Sequence, residues 1–190
     1  VADRAQARRG LSEELTVVAF AGSTGEQPTD FYSYSADFNA GAGPGVLTFT
    51  LNGYASLDGD NWYEDDFSIY HNANEILRAT FNLGGGGNDI VFFSPNGSVI
   101  TKMSNNPSWP DWAGGTVAFN VPLALIQGHN NLTFAYHALS DGHAGFQGTG
   151  DEGWGLTDIK AVPEPMTWAL MIMGFGLAGA VLRRRFRAVA

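Results

Sequence analysis

Residues 165–182 run for eighteen positions without a charged side chain, and Arg183, Arg184, Arg185 and Arg187 follow at once. Lipid offers no partner for free backbone N–H and C=O groups, so such a run must satisfy its own hydrogen bonds as a helix. At ~1.5 Å per residue it reaches roughly 27 Å, just enough for a bilayer core. A transmembrane helix is therefore expected over 166–182, with Trp168 as its interfacial anchor. Arg183, Arg184 and Arg185 hold the cytoplasmic side and leave the preceding chain outside. Gly174, Gly176 and Gly179 spell a GxGxxG pattern, but no strand-like run precedes them and no acidic residue follows. That argues against a dinucleotide site and for glycines that thin one helix face for close helix approach.

The rest of the chain is strongly acidic. Between residues 11 and 161 only Arg78, Lys102 and Lys160 oppose 17 aspartates and glutamates. Such a surface repels phosphate backbones, so nucleic acid is excluded as a partner; cations and neutral glycans suit it better. The absence of cysteine removes thiol catalysis, disulfides and cysteine zinc sites.

Twenty-five glycines and 13% aromatic residues suit short strands joined by tight turns. Alternation and turn punctuation predict strands at 15–21, 31–38, 46–54, 67–71, 76–83, 89–94, 98–102, 116–122, 132–137 and 155–162. Breaks fall at 41–45, 84–87, 95–97, 105–107 and 142–150. The spacing predicts one antiparallel β-sandwich over 13–161, preceded by a disordered 1–12. The glycines at 84–87 read as a turn, since no Lys-Ser or Lys-Thr follows to make a phosphate cradle.

Val162-Pro-Glu-Pro165, then Thr167-Trp-Ala169, the glycine-rich apolar span and the arginines resemble the PEP-CTERM sorting signal, here 162–190. The resemblance implies that Pro163, Glu164 and Pro165 are recognised by an exosortase, a membrane enzyme that cuts near them. It implies an inner-membrane precursor in a Gram-negative bacterium and a mature form at the surface or in an exopolysaccharide matrix. Export also needs a signal peptide, and the seven-residue, largely apolar stretch Leu15–Ala21 after Glu13 and Glu14 is too short for one. The signal is expected to have been removed or to lie upstream.

A second resemblance covers the body. Gly59-Asp-Asn-Trp62 followed by Phe67-Ser-Ile-Tyr70, and Gly150-Asp-Glu-Gly-Trp-Gly-Leu156, look like jelly-roll lectin and carbohydrate-binding modules. Five carboxylates fall between Asp58 and Asp66, where they repel one another unless solvated or neutralised by a cation. The segment lacks the spacing of an EF-hand. A calcium site using Asp60 or Asp66 with Asp151 or Glu152 would join the two motifs; an exposed acidic loop explains the residues as well. Trp109 and Trp112, with Trp62, offer stacking faces for sugar rings, or plug the open end of the core.

The expected function is an exported matrix or surface protein with a structural or adhesive role and no catalytic residues. The alternative is a calcium-assisted carbohydrate-binding module. A secreted hydrolase is the third reading, but no GxSxG or selectable carboxylate pair supports it.

Overall fold

The computed structural model describes residues 19–29, 32–105, 113–138, 149 and 151–164, all strand, turn or extended chain. Its strands are β1 (Phe20–Gly22), β2 (Gln27–Pro28), β3 (Ser33–Ala40), β4 (Gly43–Ala55), β5 (Leu57–Asp58), β6 (Asp65–His71) and β7 (Asn74–Thr80). They continue with β8 (Gly84–Gly86), β9 (Ile90–Phe93), β10 (Val99–Asn105), β11 (Gly115–Leu125), β12 (Gly128–Ala138) and β13 (Glu152–Pro163). One sheet runs β1-β13-β4-β11-β10, with β2 added on β13; the other runs β3-β12-β6-β7-β9. Every ladder in these two sheets is antiparallel.

The reason is visible in β4, whose burial alternates strictly from Gly45 to Gly53. Leu47, Phe49 and Leu51 point inward, while Thr48, Thr50 and Asn52 point out. β11 repeats the pattern with Val117, Phe119, Val121, Leu123 and Leu125. A strand with one apolar face must bury it against another sheet, and the second sheet answers with Phe67, Ile69, Leu132, Phe134 and Tyr136. The rings interlock: Phe49 stacks on Phe119 at 4.5 Å and meets Phe134 edge-on at 5.3 Å.

Each predicted strand has a counterpart among these elements, the first only at Phe20–Ala21 because residues 15–18 lie outside the described ones. Three short ones, β2, β5 and β8, were not expected, because two or three residues cannot show an alternation. β8 corrects the reading of the glycine run as a turn: Gly84–Gly86 pairs in parallel with β5. Glycine is required there because Gly84 has φ +108° and a Cβ on it would strike the Ala55 carbonyl. The expected membrane helix over 166–182 and the disordered 1–12 lie outside the described residues. Among the described residues no helix is long and apolar enough to cross a membrane.

Phe49→Ala removes the ring on which both sheets converge and should cost about 3–5 kcal/mol. Urea unfolding checks this; a loss below 1 kcal/mol would show that the sheets do not depend on this contact.

Candidate functional site

At one end of this core the inward rows stop being apolar. Asp65 precedes Phe67 by two positions, so it faces inward with Phe67 and Ile69. On the opposing sheet Glu152 stands in the same relation to Trp154 and Leu156. Asp58, from β5, closes the gap. One carboxylate oxygen from each of the three lies within 4.8 Å of the others. All are buried, with exposures of 8% for Asp58, 0% for Asp65 and 3% for Glu152.

Local structure makes room for them. A Cβ on Gly85 would lie 2.6 Å from Asp58 Oδ2, so the bare glycine strand β8 leaves space for this carboxylate. The Asp58 amide donates to Asp65 Oδ2 at 3.0 Å, and Asn61 Nδ2 donates to Asp58 Oδ1 at 2.7 Å. The Thr80 hydroxyl lies 2.8 Å from the Asp65 carbonyl and 3.2 Å from that of Asp58, pinning β5 and β6 together. Thr29 Oγ1 donates to Glu152 Oε2 at 3.4 Å.

Two buried oxygens here make no hydrogen bond: Asp65 Oδ1 and the Tyr136 hydroxyl. Tyr136 stands opposite Phe67 in the β12–β6 ladder, diagonal to Asp65 on the same inward face. Its ring packs against Trp154 at 6.0 Å and Phe67 at 5.7 Å. All four groups are buried. Burial, and then the charge of Glu152, push the Asp65 carboxyl up to about 9. Burial also raises Asp58, against the opposing hydrogen bond from Asn61. Tyr136 is raised by burial and next by Asp65.

The residues singled out in the sequence are distributed differently. Glu152 joins the cluster; Asp60, Asp66 and Asp151 are not part of it. Asp60 forms an isolated bridge with Asn88. Asp66 has the opposite parity to Asp65; burial and the neighbouring Glu64 lift it to about 7, while Arg78 pulls it down. Asp151 accepts a hydrogen bond from the Ser56 hydroxyl at 3.1 Å and, through its carbonyl, from the Ser56 amide at 2.9 Å. Trp62 lies on the turn between β5 and β6, 58% exposed, beside Tyr63 at 46%. Trp109 and Trp112 lie outside the described residues, as do Pro165, Trp168, Gly174, Gly176, Gly179, Arg183, Arg184 and Arg185. Asp58 and Asp65 belong to the acidic run, but only strand parity would have selected Asp65.

At the far end of β13, Pro163 pairs with Gly45, and the Glu164 amide donates to the Pro44 carbonyl at 2.9 Å. The Pro-Glu-Pro segment thus begins inside the sheet ladder.

Residues 161–185 match the family described as the PEP-CTERM protein-sorting motif. The chain therefore carries the signal of an exported surface protein that an exosortase processes from a membrane-anchored precursor. No curated protein matches it. Among solved structures it is similar to dimeric latent PorU from Porphyromonas gingivalis, with 13% identity and a TM-score of 0.38. The alignment takes in 80% of this chain and 13% of that one, and at that score it carries no argument.

The Asp65 carboxyl, with Glu152, Asp58 and Tyr136 on its side of β6 and the like charge of Asp66 next to it on the other, gives the fold a pH dependence in the absence of bound cations. An acid whose pKa rises on folding stabilises the fold fully below its unfolded value of 3.8, and this contribution is lost as pH climbs toward about 9. In chelator the melting temperature should fall between about pH 5 and about pH 8, and Asp65→Asn should flatten the slope. A melting temperature that rises over this interval would contradict the burial of an uncompensated carboxyl.

Proposed function

We propose that the chain is a non-catalytic surface protein whose β-sandwich plays a structural or adhesive part in an exopolysaccharide layer. In this reading an exosortase cuts near Pro163, Glu164 and Pro165. Before cleavage the precursor is held in the inner membrane by a helix over 166–182, with Trp168 at one interface and Arg183, Arg184 and Arg185 in the cytoplasm. The observation that carries the reading is the sorting motif at 161–185, which begins in the last strand of the sandwich. The chain's repeated passage between the two sheets suits a jelly-roll. The burial of Asp58, Asp65 and Glu152 supports the non-catalytic part, since a sugar cannot reach carboxyls at most 8% exposed.

A second reading, carbohydrate binding, is favoured by Trp62 and Tyr63. They present two aromatic side chains to solvent on one turn, just after Asp58 of β5 and Asp60. Tryptophan faces stack on the apolar faces of sugar rings.

Mass spectrometry of the exported protein should find a C-terminus at 162–165, and Glu164→Ala should leave Arg183, Arg184 and Arg185 attached. A wild-type surface form that keeps those arginines would overturn processing. On a glycan array, Trp62→Ala should weaken binding at least ~10-fold, about 1.4 kcal/mol; undiminished binding would remove the turn from the contact.

A further inference from the structure

We infer that Asp58, Asp65 and Glu152, together with the Tyr136 hydroxyl, form an internal binding site for a calcium ion that clamps the two sheets at one end of the core. The carboxylates come from β5, β6 and β13, and Tyr136 comes from β12, so the ligands draw on both sheets.

The geometry suits this ion. Calcium binds oxygens at about 2.3–2.6 Å, so any two ligands around one centre lie no more than about 5 Å apart. Here one oxygen from each carboxylate lies within 4.8 Å of the other two. The second observation is independent of the cluster's acidity. Tyr136 is fully buried and its hydroxyl has no hydrogen-bond partner, although it lies in the combined field of Asp65, Asp66, Glu152 and Asp58. Asp65 Oδ1, also fully buried, is likewise unpartnered. Unpaired buried oxygens cost free energy that an ion in their midst would recover.

The donor set decides which ion. It consists of oxygen alone, with no histidine or cysteine, which argues against zinc and copper. Magnesium gives up its waters reluctantly and prefers sites that let it keep several. The mutually packed rings of Trp154, Phe67 and Tyr136 beside these carboxylates offer waters few partners. Calcium accepts six to eight oxygens in flexible geometry, and the turn-rich backbone around Asp58 can add carbonyls. The site depends neither on the sorting signal nor on the Trp62 turn.

The test uses the full chain in detergent, stripped with chelator and titrated with calcium chloride. We expect a Kd of about 10⁻³ M or tighter, in the range of extracellular modules. At ~100-fold excess over Kd the melting temperature should rise by roughly 5–10 °C. Magnesium should give a smaller rise. Terbium bound in place of calcium should luminesce when Trp154 and Tyr136 are excited. Asp65→Asn and Glu152→Gln keep the shape of neutral carboxyls, so they should leave the fold intact by circular dichroism while abolishing both signals. No melting shift at ~10 mM calcium would overturn the site, as would an undiminished shift in both variants. A terbium signal that survives both substitutions would place the ion elsewhere and overturn it equally.

Discussion

The contact on which the sandwich depends is the meeting of three phenylalanine rings on a fourth, Phe49. Phe119 stacks on it from the neighbouring strand, while Phe67 and Phe134 reach it from the facing sheet at 5.9 and 5.3 Å. A two-stranded ribbon of this length would be marginal in water. Burying these rings between two sheets removes apolar surface from water and fixes which face of each strand turns inward. Once that choice is made at Phe49 and Phe67, parity sets it along β4, β6, β11 and β12, and along β13 as far as the irregularity between Thr157 and Lys160, beyond which Ile159 and Ala161 take over the inward row.

Parity also explains the unusual end of the core. The rows that supply Phe67 and Trp154 continue to Asp65 and Glu152, so the folding that buries the rings carries the carboxylates inside as well. A slip of one residue in β6 would put Asp66 inside and Asp65 outside, but it would also expose Phe67 and Ile69. The apolar residues are numerous and win. The strain of concentrated like charge is therefore imposed by the hydrophobic register and must be relieved locally, by a proton or by an ion.

Much of this was legible in the sequence. Val46-Leu-Thr-Phe-Thr-Leu51 and Leu132-Thr-Phe-Ala-Tyr136 announce their strands by alternation alone. The PEP-CTERM match at 161–185 agrees with the Pro-Glu-Pro, apolar and arginine order read from residues 162–190. The carboxylate cluster was less legible because its members lie far apart in sequence and one of them, Asp58, rides on a two-residue strand. Its pairing partner is a run of glycines that has no side chains to show a period. The sequence reading chose Asp60 and Asp66 from the acidic run by proximity to motifs, whereas the structure sorts that run by which side of β6 each residue occupies. Asp65 shares its side with Phe67 and Ile69, and that rule needed only the strand boundary to be applied.

The last strand has a mechanical consequence. β13 lies between β1 and β4 and is zipped to β4 from Glu152 to Pro163, with one irregularity between Thr157 and Lys160. A pull on Glu164 directed along β13 would load these hydrogen bonds side by side rather than peel them one after another. The strand that leads into the sorting segment is thus one that is held on both of its edges.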